Sequence, residues 1–167
     1  MEIRKIHVEG DLAYLPLTKG YNAVIDVADI HLVEGRNWCA FVKSTAVYAI
    51  RTDYSGGKKI NVYLHRLIMN APSDLEVDHK NRDGLDNRRD NLRLATTSQN
   101  QQNCTRRPTN TSGFKGVCWH KEKKKWHARI MVNGKSHNLG YFMTPEGAHA
   151  AYSEASACLH SEFGRVA

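Results

Sequence analysis

An aspartate, a histidine and two asparagines are spaced along the middle of the chain in a way that suits hydrolysis of a phosphodiester. Asp78 and His79 are adjacent, Asn91 lies 12 residues beyond the histidine, and Asn100 lies nine residues beyond Asn91. This hydrolysis needs a base that accepts a proton near neutral pH and a cation that stabilises charge on the phosphate. An imidazole titrates near pH ~6.5, and carboxylate and amide oxygens suit Mg²⁺ or Mn²⁺. Together the residues can supply both requirements.

The stretch that contains them, LEVDHKNRDGLDNRRDNLRLATTSQNQQN, resembles the HNH nuclease motif of phage and intron-encoded homing endonucleases. The resemblance covers about residues 61 to 104 and implies a two-stranded ribbon and a following helix that grip one divalent cation per active site. It also implies a role for each residue. Asp78 is the metal-binding acid, His79 is the general base, Asn91 braces the loop and orients that base, and Asn100 is the second metal ligand.

The chain departs from the family name at Asn100, which stands where the last histidine is expected. Because this removes a nitrogen ligand, Mg²⁺ or Mn²⁺ is favoured over tightly bound zinc. The resemblance implies a metal-dependent endonuclease, of the homing type, that cuts double-stranded DNA as a nick or a double-strand break. Two alternatives stay open: a DNA-binding regulator with an inert motif, and a structure-specific or RNA-directed nuclease.

The residues before the motif must position it, and their pattern predicts short strands separated by turns. Tyr48, Ile50, Val62 and Leu64 alternate with polar or small neighbours, which predicts strands that cover one face of a small core. From Tyr63 the apolar spacing becomes helical, so we expect a helix that begins near His65 and stops before Pro72. His65 and Arg66 match a recurrent element of the family, and packing of the nuclease helix is the role expected of them.

The motif itself is polar and basic, with few apolar residues from position 74 to 107. Such a passage cannot make a large core, so local hydrogen bonds, the preceding helix or a metal must hold it. Thr97 or Ser98 is expected to cap a short helix that runs through Cys104. Arg88, Arg89 and Arg93 are candidate phosphate contacts beside the scissile bond, and a solvated face is the alternative for the first two.

The C-terminal part has the pattern of three strands and one helix. Alternation predicts that Trp126, Ala128, Ile130 and Val132 face the helix, whereas His127, Arg129 and Met131 face outwards. The two-residue turn Asn133-Gly134 predicts that Val132 pairs with Lys135, Met131 with Ser136 and Arg129 with Asn138. The predicted helix begins at Pro145, with an apolar stripe formed by Ala148, Ala151, Tyr152, Ala155 and Leu159.

This part resembles the plant ethylene-response-factor (Apetala-type) DNA-binding domain, which also occurs in homing endonucleases. The resemblance rests on the segments SGFKGV, KKWHARI, LGYF, PEGAHAAY and FG. It implies that the sheet lies in the DNA major groove with the helix behind it. The candidate contacts are Lys115, His120, His127, Arg129 and Asn138, with Cys118, Met131 and Ser136 nearby. Few of these positions are arginine, so we expect recognition through phosphates and shape more than through guanine. Trp119 and Trp126 are expected in the core.

Composition agrees with a nucleic-acid partner, because a net charge of +7 and a pI near 9.3 favour a polyanion. The four cysteines form no C-x-x-C pair, which argues against a zinc knuckle or a disulfide framework. No apolar run approaches a membrane span or a secretion signal, so we expect the cytoplasm of a phage host or bacterium. We expect neither a membrane partner nor a small-molecule cofactor, and one set of site residues per chain suggests a monomer, although dimers on paired half-sites stay open.

These elements predict an α+β chain. Its strand-rich N-terminal part carries a ββα-metal HNH nuclease, and a three-stranded antiparallel sheet packed on one helix follows. The expected boundaries are residues 1–104 for the first domain, 105–111 for a linker with proline and small hydroxylated residues, and 112–167 for the DNA-binding domain.

Overall fold

The computed structural model describes residues 2–103, 110–160 and 163. The described residues form several small antiparallel sheets and four α-helices, which confirms the expected mixture of strands and helices. The chain divides into two compact units, Met1–Thr96 and Thr97–Ala167. None of the helices that the structure describes is long and apolar enough to cross a membrane.

The first sheet of the N-terminal unit is an antiparallel meander whose inner face is fully apolar. Alternation along its second and third strands buries Ala13, Leu15, Ala23 and Ile25 against the core. A short helix follows it. The elements are β1 (His7–Glu9), β2 (Leu12–Pro16), β3 (Asn22–Asp26) and α1 (Ile30–Val33).

The second sheet turns its small residues inwards, so the expectation that Tyr48 and Ile50 cover the core was wrong, whereas Val62 and Leu64 contribute to the core as expected. Ala49 and Ala40 are buried in the core, whereas Tyr48 and Ile50 lie on the opposite face and are only half-buried. The large side chains of the core come instead from Trp38 and from the helix that follows the sheet. The elements are β4 (Cys39–Val42), β5 (Val47–Ser55), β6 (Lys58–Tyr63) and α2 (Leu64–Ile68), the last lying where a helix ending before Pro72 was predicted.

A two-stranded ribbon completes this unit and carries Asp78 and His79. It consists of β7 (Glu76–His79) and β8 (Leu92–Ala95), paired so that Asp78 lies opposite Arg93. The loop between the strands extends the first sheet, since the Val24 amide donates to Leu85 O at 2.8 Å and the Asn87 amide donates to Val24 O at 2.7 Å. The edge of β3 is therefore covered by the loop of the motif.

The C-terminal unit contains one sheet, and the register predicted from the Asn133-Gly134 turn is confirmed. Val132 pairs with Lys135, Met131 with Ser136 and Arg129 with Asn138, and a bulge falls between Ala128 and Arg129. Both turn residues have positive φ. The elements are α3 (Thr97–Asn103), β9 (Val117–His120), β10 (Lys125–Val132), β11 (Lys135–Phe142) and α4 (Pro145–His160).

Helix α4 packs on this sheet, but its buried stripe differs from the predicted one at the last turn. Leu159 is exposed, whereas Ser156 and His160 are buried and bonded to each other. His160 Nε2 lies 2.8 Å from the Met131 carbonyl oxygen, which anchors the end of the helix to β10. Trp119 was also expected in the core, yet it is 44% exposed and lies edge-on against Trp126.

The predicted linker, residues 105–111, lies mostly outside the described residues, as does Cys104. The domain boundaries inferred from the sequence therefore stay predictions.

Gly116 should be far less tolerant of substitution than Gly134. Both have positive φ, but a Cβ on Gly116 would come within 2.2 Å of the Tyr152 ring, whereas nothing lies within 4 Å of one on Gly134. We expect Gly116→Ala to cost about 3 kcal/mol of unfolding free energy and Gly134→Ala about 1 kcal/mol. Urea unfolding followed by tryptophan fluorescence measures both. Equal losses of unfolding free energy in the two variants would show that Tyr152 of α4 does not pack tightly against Gly116.

Candidate active site and nucleic-acid interface

Asp78 and His79 lie at the end of β7 and are almost completely buried, at 5% and 6% exposure. Asp78 Oδ2 accepts hydrogen bonds from Arg93 Nε at 2.8 Å and Arg93 Nη2 at 2.7 Å. The strand register places this guanidinium directly across the ribbon from the carboxylate. A buried carboxylate must be balanced by a nearby positive charge, and Arg93 supplies it.

The loop that joins the two strands is closed by the Asn91 side chain. Its amide nitrogen donates to Asp86 O at 2.7 Å and to Asn81 Oδ1 at 3.0 Å, and its oxygen accepts the Asn81 amide at 3.1 Å. Asn91 is 7% exposed, and its bond to Asp86 O forms away from water. These three hydrogen bonds close the loop, and the role of Asn91 in orienting the base stays a prediction.

Asp86 is a second fixed point of this loop. Its carboxylate accepts bonds from Arg88 Nε and Nη2 at 2.8 and 2.7 Å, and from Asn81 Nδ2 at 2.8 Å. The hydrogen bonds from Arg88 lower the pKa of Asp86, and the same contact raises the pKa of Arg88. Both groups therefore stay charged throughout the neutral range.

The environment of His79 favours a neutral imidazole. Burial lowers its pKa below the ordinary value of 6.5, while the Asn87 side chain and the charge of Asp78 act more weakly in the opposite direction. Near pH 7 the ring can therefore accept a proton. A base of this kind is required wherever water must be deprotonated in a hydrolysis.

Sequence reasoning missed Asn87, which the structure places beside His79. Asn87 is completely buried, and its amide nitrogen donates to Leu85 O at 3.0 Å and Gly84 O at 3.4 Å. The side chain thereby fixes the turn and also contacts the histidine. An asparagine within NRDGLDNRRDN is ordinary turn chemistry, so no signal distinguished it in the sequence.

Aromatic rings enclose the other side of His79. Its ring centroid lies 5.1 Å from that of His65, edge to face, and 6.1 Å from that of Tyr48. Tyr48 and Tyr63 lie 5.7 and 5.4 Å from His65. A Cβ on Gly84 would come within 2.7 Å of the Tyr48 ring, so the loop must carry glycine at that point. His65 thus packs against both tyrosine rings and against His79.

The three arginines predicted to contact phosphate are each paired with a carboxylate. Besides the Arg88 and Arg93 pairs, Arg89 grips buried Asp29 through Nε at 2.9 Å and Nη2 at 2.7 Å. These pairs orient the guanidinium groups. Whether they also bind phosphate stays a prediction.

A divalent cation fits the chemistry of this site only in part. Asp78 offers a hard carboxylate oxygen, which suits Mg²⁺ or Mn²⁺ with water and phosphate as further ligands. Among the described residues no group of three or more His, Cys, Asp or Glu could hold a metal. Asn100 lies on α3 and belongs to the C-terminal unit. The pairing of Asp78 with Asn100 therefore stays a prediction.

In the C-terminal unit the outer face of the sheet groups several of the predicted DNA contacts. His127 stacks on Tyr141 at 4.7 Å, and its Nε2 lies 3.0 Å from Asn138 Oδ1. His120 lies 5.2 Å from Tyr141, edge to face, and Lys123 Nζ lies 3.9 Å from the centre of the Tyr141 ring. Arg129 is exposed beside them on β10.

Lys115 is the exception among these predicted contacts, because it precedes the sheet and is not part of a strand. Strand β9 begins at Val117, and Lys115 Nζ donates to the Gln102 carbonyl oxygen at the end of α3. Its ammonium is thus held by the preceding helix of the same unit.

Comparison with known families places the motif. Residues 62–102 match the family model for HNH endonucleases. This segment is similar to HNH endonuclease domains. It contains the ribbon, the loop closed by Asn91 and most of α3, so the part of the chain with the buried Asp78 and His79 is the part that the family model describes. The match ends before the C-terminal sheet, and the Apetala-type resemblance there stays a prediction.

Two viral proteins are similar to the chain. Protein 3.8 of Escherichia phage T7 is 39% identical over 68 residues, which are 41% of this chain and 56% of that protein. An uncharacterized HNH endonuclease of Acanthamoeba polyphaga mimivirus is 33% identical over 110 residues, 65% of this chain and 56% of that protein. The chain thus spans about half the length of the relatives it matches. Together with the HNH domain, these matches support a nuclease. No solved structure matches the chain significantly.

His65 should make the HNH domain sensitive to acid. Burial, with help from the charges of His79, Arg66 and Lys43, lowers its pKa to about 3. Between pH ~6.5 and ~3 the unfolded chain therefore binds the proton that the folded chain excludes, so stability is full above this window and falls as pH falls through it. The expected loss from His65 is about 2 kcal/mol at pH ~5.

Urea unfolding at pH 5 and pH 7.5 measures this effect. When the pH is lowered from 7.5 to 5, we expect the unfolding free energy of His65→Gln to fall less than that of the native chain. This holds whatever the stability of the variant at pH 7.5. His31→Gln removes an exposed histidine of the same unit and should leave the pH dependence unchanged. If His65→Gln lost as much stability between pH 7.5 and pH 5 as the native chain, other groups would be responsible for the acid sensitivity.

Proposed function

We propose that the protein is a metal-dependent HNH endonuclease, of the homing type, that hydrolyses double-stranded DNA as a nick or a double-strand break. One observation carries the proposal. In an HNH domain, a buried and neutral His79 adjoins a buried Asp78, and the loop beside them is closed by Asn91. This arrangement supplies a base and a hard oxygen ligand within one strand end.

His79 takes a proton from the attacking water. The lowered pKa keeps the ring unprotonated near pH 7, and its neighbours His65 and Tyr48 limit the positions it can occupy. Asn91 holds the loop and Asn87 contacts the imidazole, so both act as positioning residues that keep the base aligned with the scissile phosphate.

Asp78 and Asn100 are the residues proposed to hold one Mg²⁺ or Mn²⁺ ion. When bound, this ion stabilises the charge that develops on the phosphate and the leaving oxygen. The buried Asp78 carboxylate is already held in one orientation by Arg93, so its oxygen ligand is positioned in advance.

Phosphate groups near the scissile bond are proposed to contact Arg88, Arg89 and Arg93. A guanidinium has five N–H donors and a bidentate pair occupies two, so an arginine fixed by a carboxylate retains donors for phosphate. The carboxylate partners Asp86, Asp29 and Asp78 would then act as orienting groups.

The C-terminal unit is proposed to bind DNA through the outer face of its sheet, as the Apetala-type resemblance implies. His120, His127, Arg129 and Asn138 lie on this face, and Lys115, which precedes the first strand, is a further proposed contact. The paucity of arginine points to phosphate contact and shape recognition as the main source of affinity. The protein would act as a monomer that carries both functions in one chain.

His79→Ala should abolish cleavage while leaving DNA binding nearly intact. Loss of a general base lowers the rate by about 100-fold or more. Nicking of supercoiled plasmid in Mg²⁺ or Mn²⁺ measures cleavage, and fluorescence anisotropy in EDTA measures binding. His7→Ala, at an exposed histidine of β1, is the matched control and should cleave normally.

Cleavage by His79→Ala at the native rate would remove His79 from this role. Binding without cleavage by the native chain, in either metal, would instead favour a DNA-binding regulator with an inert motif. Activity that survives EDTA would overturn the metal dependence.

Arg129→Gln should weaken DNA binding and make the affinity less dependent on salt concentration. Removal of one phosphate contact lowers the slope of log affinity against log salt by about one. Lys135→Gln is the matched control, because Lys135 pairs with Val132 on the face turned towards α4. Salt titrations of a labelled duplex compare the two. Equal changes in slope would show that net charge, and not the outer face, governs binding.

A further inference from the structure

The sheet β4–β5–β6 has an aromatic face turned away from the core, and His79 lies at one end of it. Register places Phe41 opposite Tyr48, and Tyr63 opposite Ile50, on the face that does not carry Ala40 and Ala49. The rings of Phe41 and Tyr48 lie 6.3 and 6.4 Å from Tyr63. Because Tyr48 also contacts His79, this face leads directly to the proposed base.

The same face continues outwards along the β5–β6 hairpin and becomes fully exposed. Beyond Tyr48 and Ile50 it presents two cross-strand pairs, Thr52 with Asn61 and then Tyr54 with Lys59. All four side chains are exposed, and Tyr54 reaches 76% exposure. A tyrosine so open to water beside a lysine has no role in the core.

Lysines lie on both faces of the hairpin. On the opposite face Asp53 forms ion pairs with Arg51 at 3.1 Å and with Arg36 at 3.5 Å, so one carboxylate there serves two arginines. The ion pairs of the described residues do not include Lys43 or Lys59. Lys43 Nζ lies 5.3 Å from the centre of the Phe41 ring and 5.6 Å from that of Tyr48. The face that leads to His79 therefore presents the positive charges of Lys43 and Lys59 beside its aromatic rings.

We infer that this face of the β5–β6 hairpin binds the sugar–phosphate backbone of the DNA duplex that enters the HNH site. The Lys59 ammonium would pair with a phosphate, and the Tyr54 hydroxyl would donate a hydrogen bond to the same strand. The inference rests on the proposed endonuclease function and adds a DNA contact that the HNH motif does not contain.

The length of the hairpin sets the reach of this contact. Six residues separate Tyr48 from Tyr54, which at ~3.3 Å per residue is about 20 Å. One strand of a duplex rises ~3.4 Å per base pair, so the tip would meet DNA about six base pairs from the site. The hairpin would extend the contacted length on one side of the cut.

Polar chemistry favours a duplex over a membrane or an apolar partner. The exposed part of the face consists of a threonine, an asparagine, a tyrosine and a lysine, each of which donates hydrogen bonds to phosphate oxygens. The face is also continuous with the buried base, because Tyr48 contacts His79. When the scissile phosphate lies at His79, the neighbouring phosphates of the same duplex would lie along this surface.

Neighbouring lysines of the hairpin provide a matched test. Lys58 and Lys59 are both exposed and adjacent, but Lys58 pairs with Ser55 on the opposite face. We expect Lys59→Gln to weaken binding of a labelled 40-base-pair duplex by roughly fivefold and to lower the salt slope by about one. Lys58→Gln should change neither. Tyr54→Ala should weaken binding more than Tyr54→Phe, which retains the ring.

The full chain is used throughout, in EDTA for binding and in Mg²⁺ or Mn²⁺ for plasmid nicking. Lys59→Gln should raise KM with little change in kcat, because the contact is remote from the chemistry. The inference would be overturned if Lys58→Gln and Lys59→Gln weakened DNA binding equally. It would also be overturned if neither Lys59→Gln nor Tyr54→Ala weakened binding. In both cases the native chain must still cleave DNA. A native chain that neither binds nor cuts DNA would overturn the proposed function itself.

Discussion

The buried amide of Asn91 is the interaction on which the candidate site depends. The loop between β7 and β8 contains a single half-buried leucine, Leu85, so apolar packing cannot hold it. The Asn91 side chain closes the loop instead, by donating hydrogen bonds to Asn81 Oδ1 and Asp86 O and accepting one from the Asn81 backbone amide. An unsatisfied buried amide costs about 1–3 kcal/mol, so loss of either partner would release the loop and the histidine with it.

Paired charges form a second layer around that loop. Buried Asp29, Asp78 and Asp86 each engage one arginine, and the three arginines lie within residues 88–93. The pairs tie the ribbon to itself and to the segment before α1. A basic surface can therefore be kept rigid, because each guanidinium is oriented by a carboxylate rather than left to move on a flexible side chain. Preorganised charge of this kind is what phosphate chemistry requires.

Much of this architecture could be predicted from local signals. The Asn133-Gly134 turn determined the register of β10 and β11, and the resemblance of the stretch around Asp78 and Asn91 to the HNH motif implied the ribbon and its loop. Errors arose where tertiary contacts decided the outcome. Tyr48 faces His79 rather than the core because Ala49 fits the narrow interior, and the last turn of α4 is anchored by a polar bond from His160 rather than by Leu159. Asn87 was missed for a similar reason, since its contact with His79 follows from the folded turn and not from its spacing.

The backbone link between the loop and strand β3 has a consequence for dynamics. The Val24 amide bonds to Leu85, and the Asn87 amide bonds back to Val24, so neither can exchange its hydrogen with solvent unless the strand and the loop separate. Separation of the loop from β3 would release Asn87, which contacts the imidazole. Residues far upstream of the HNH segment thereby set the lifetime of the aligned state.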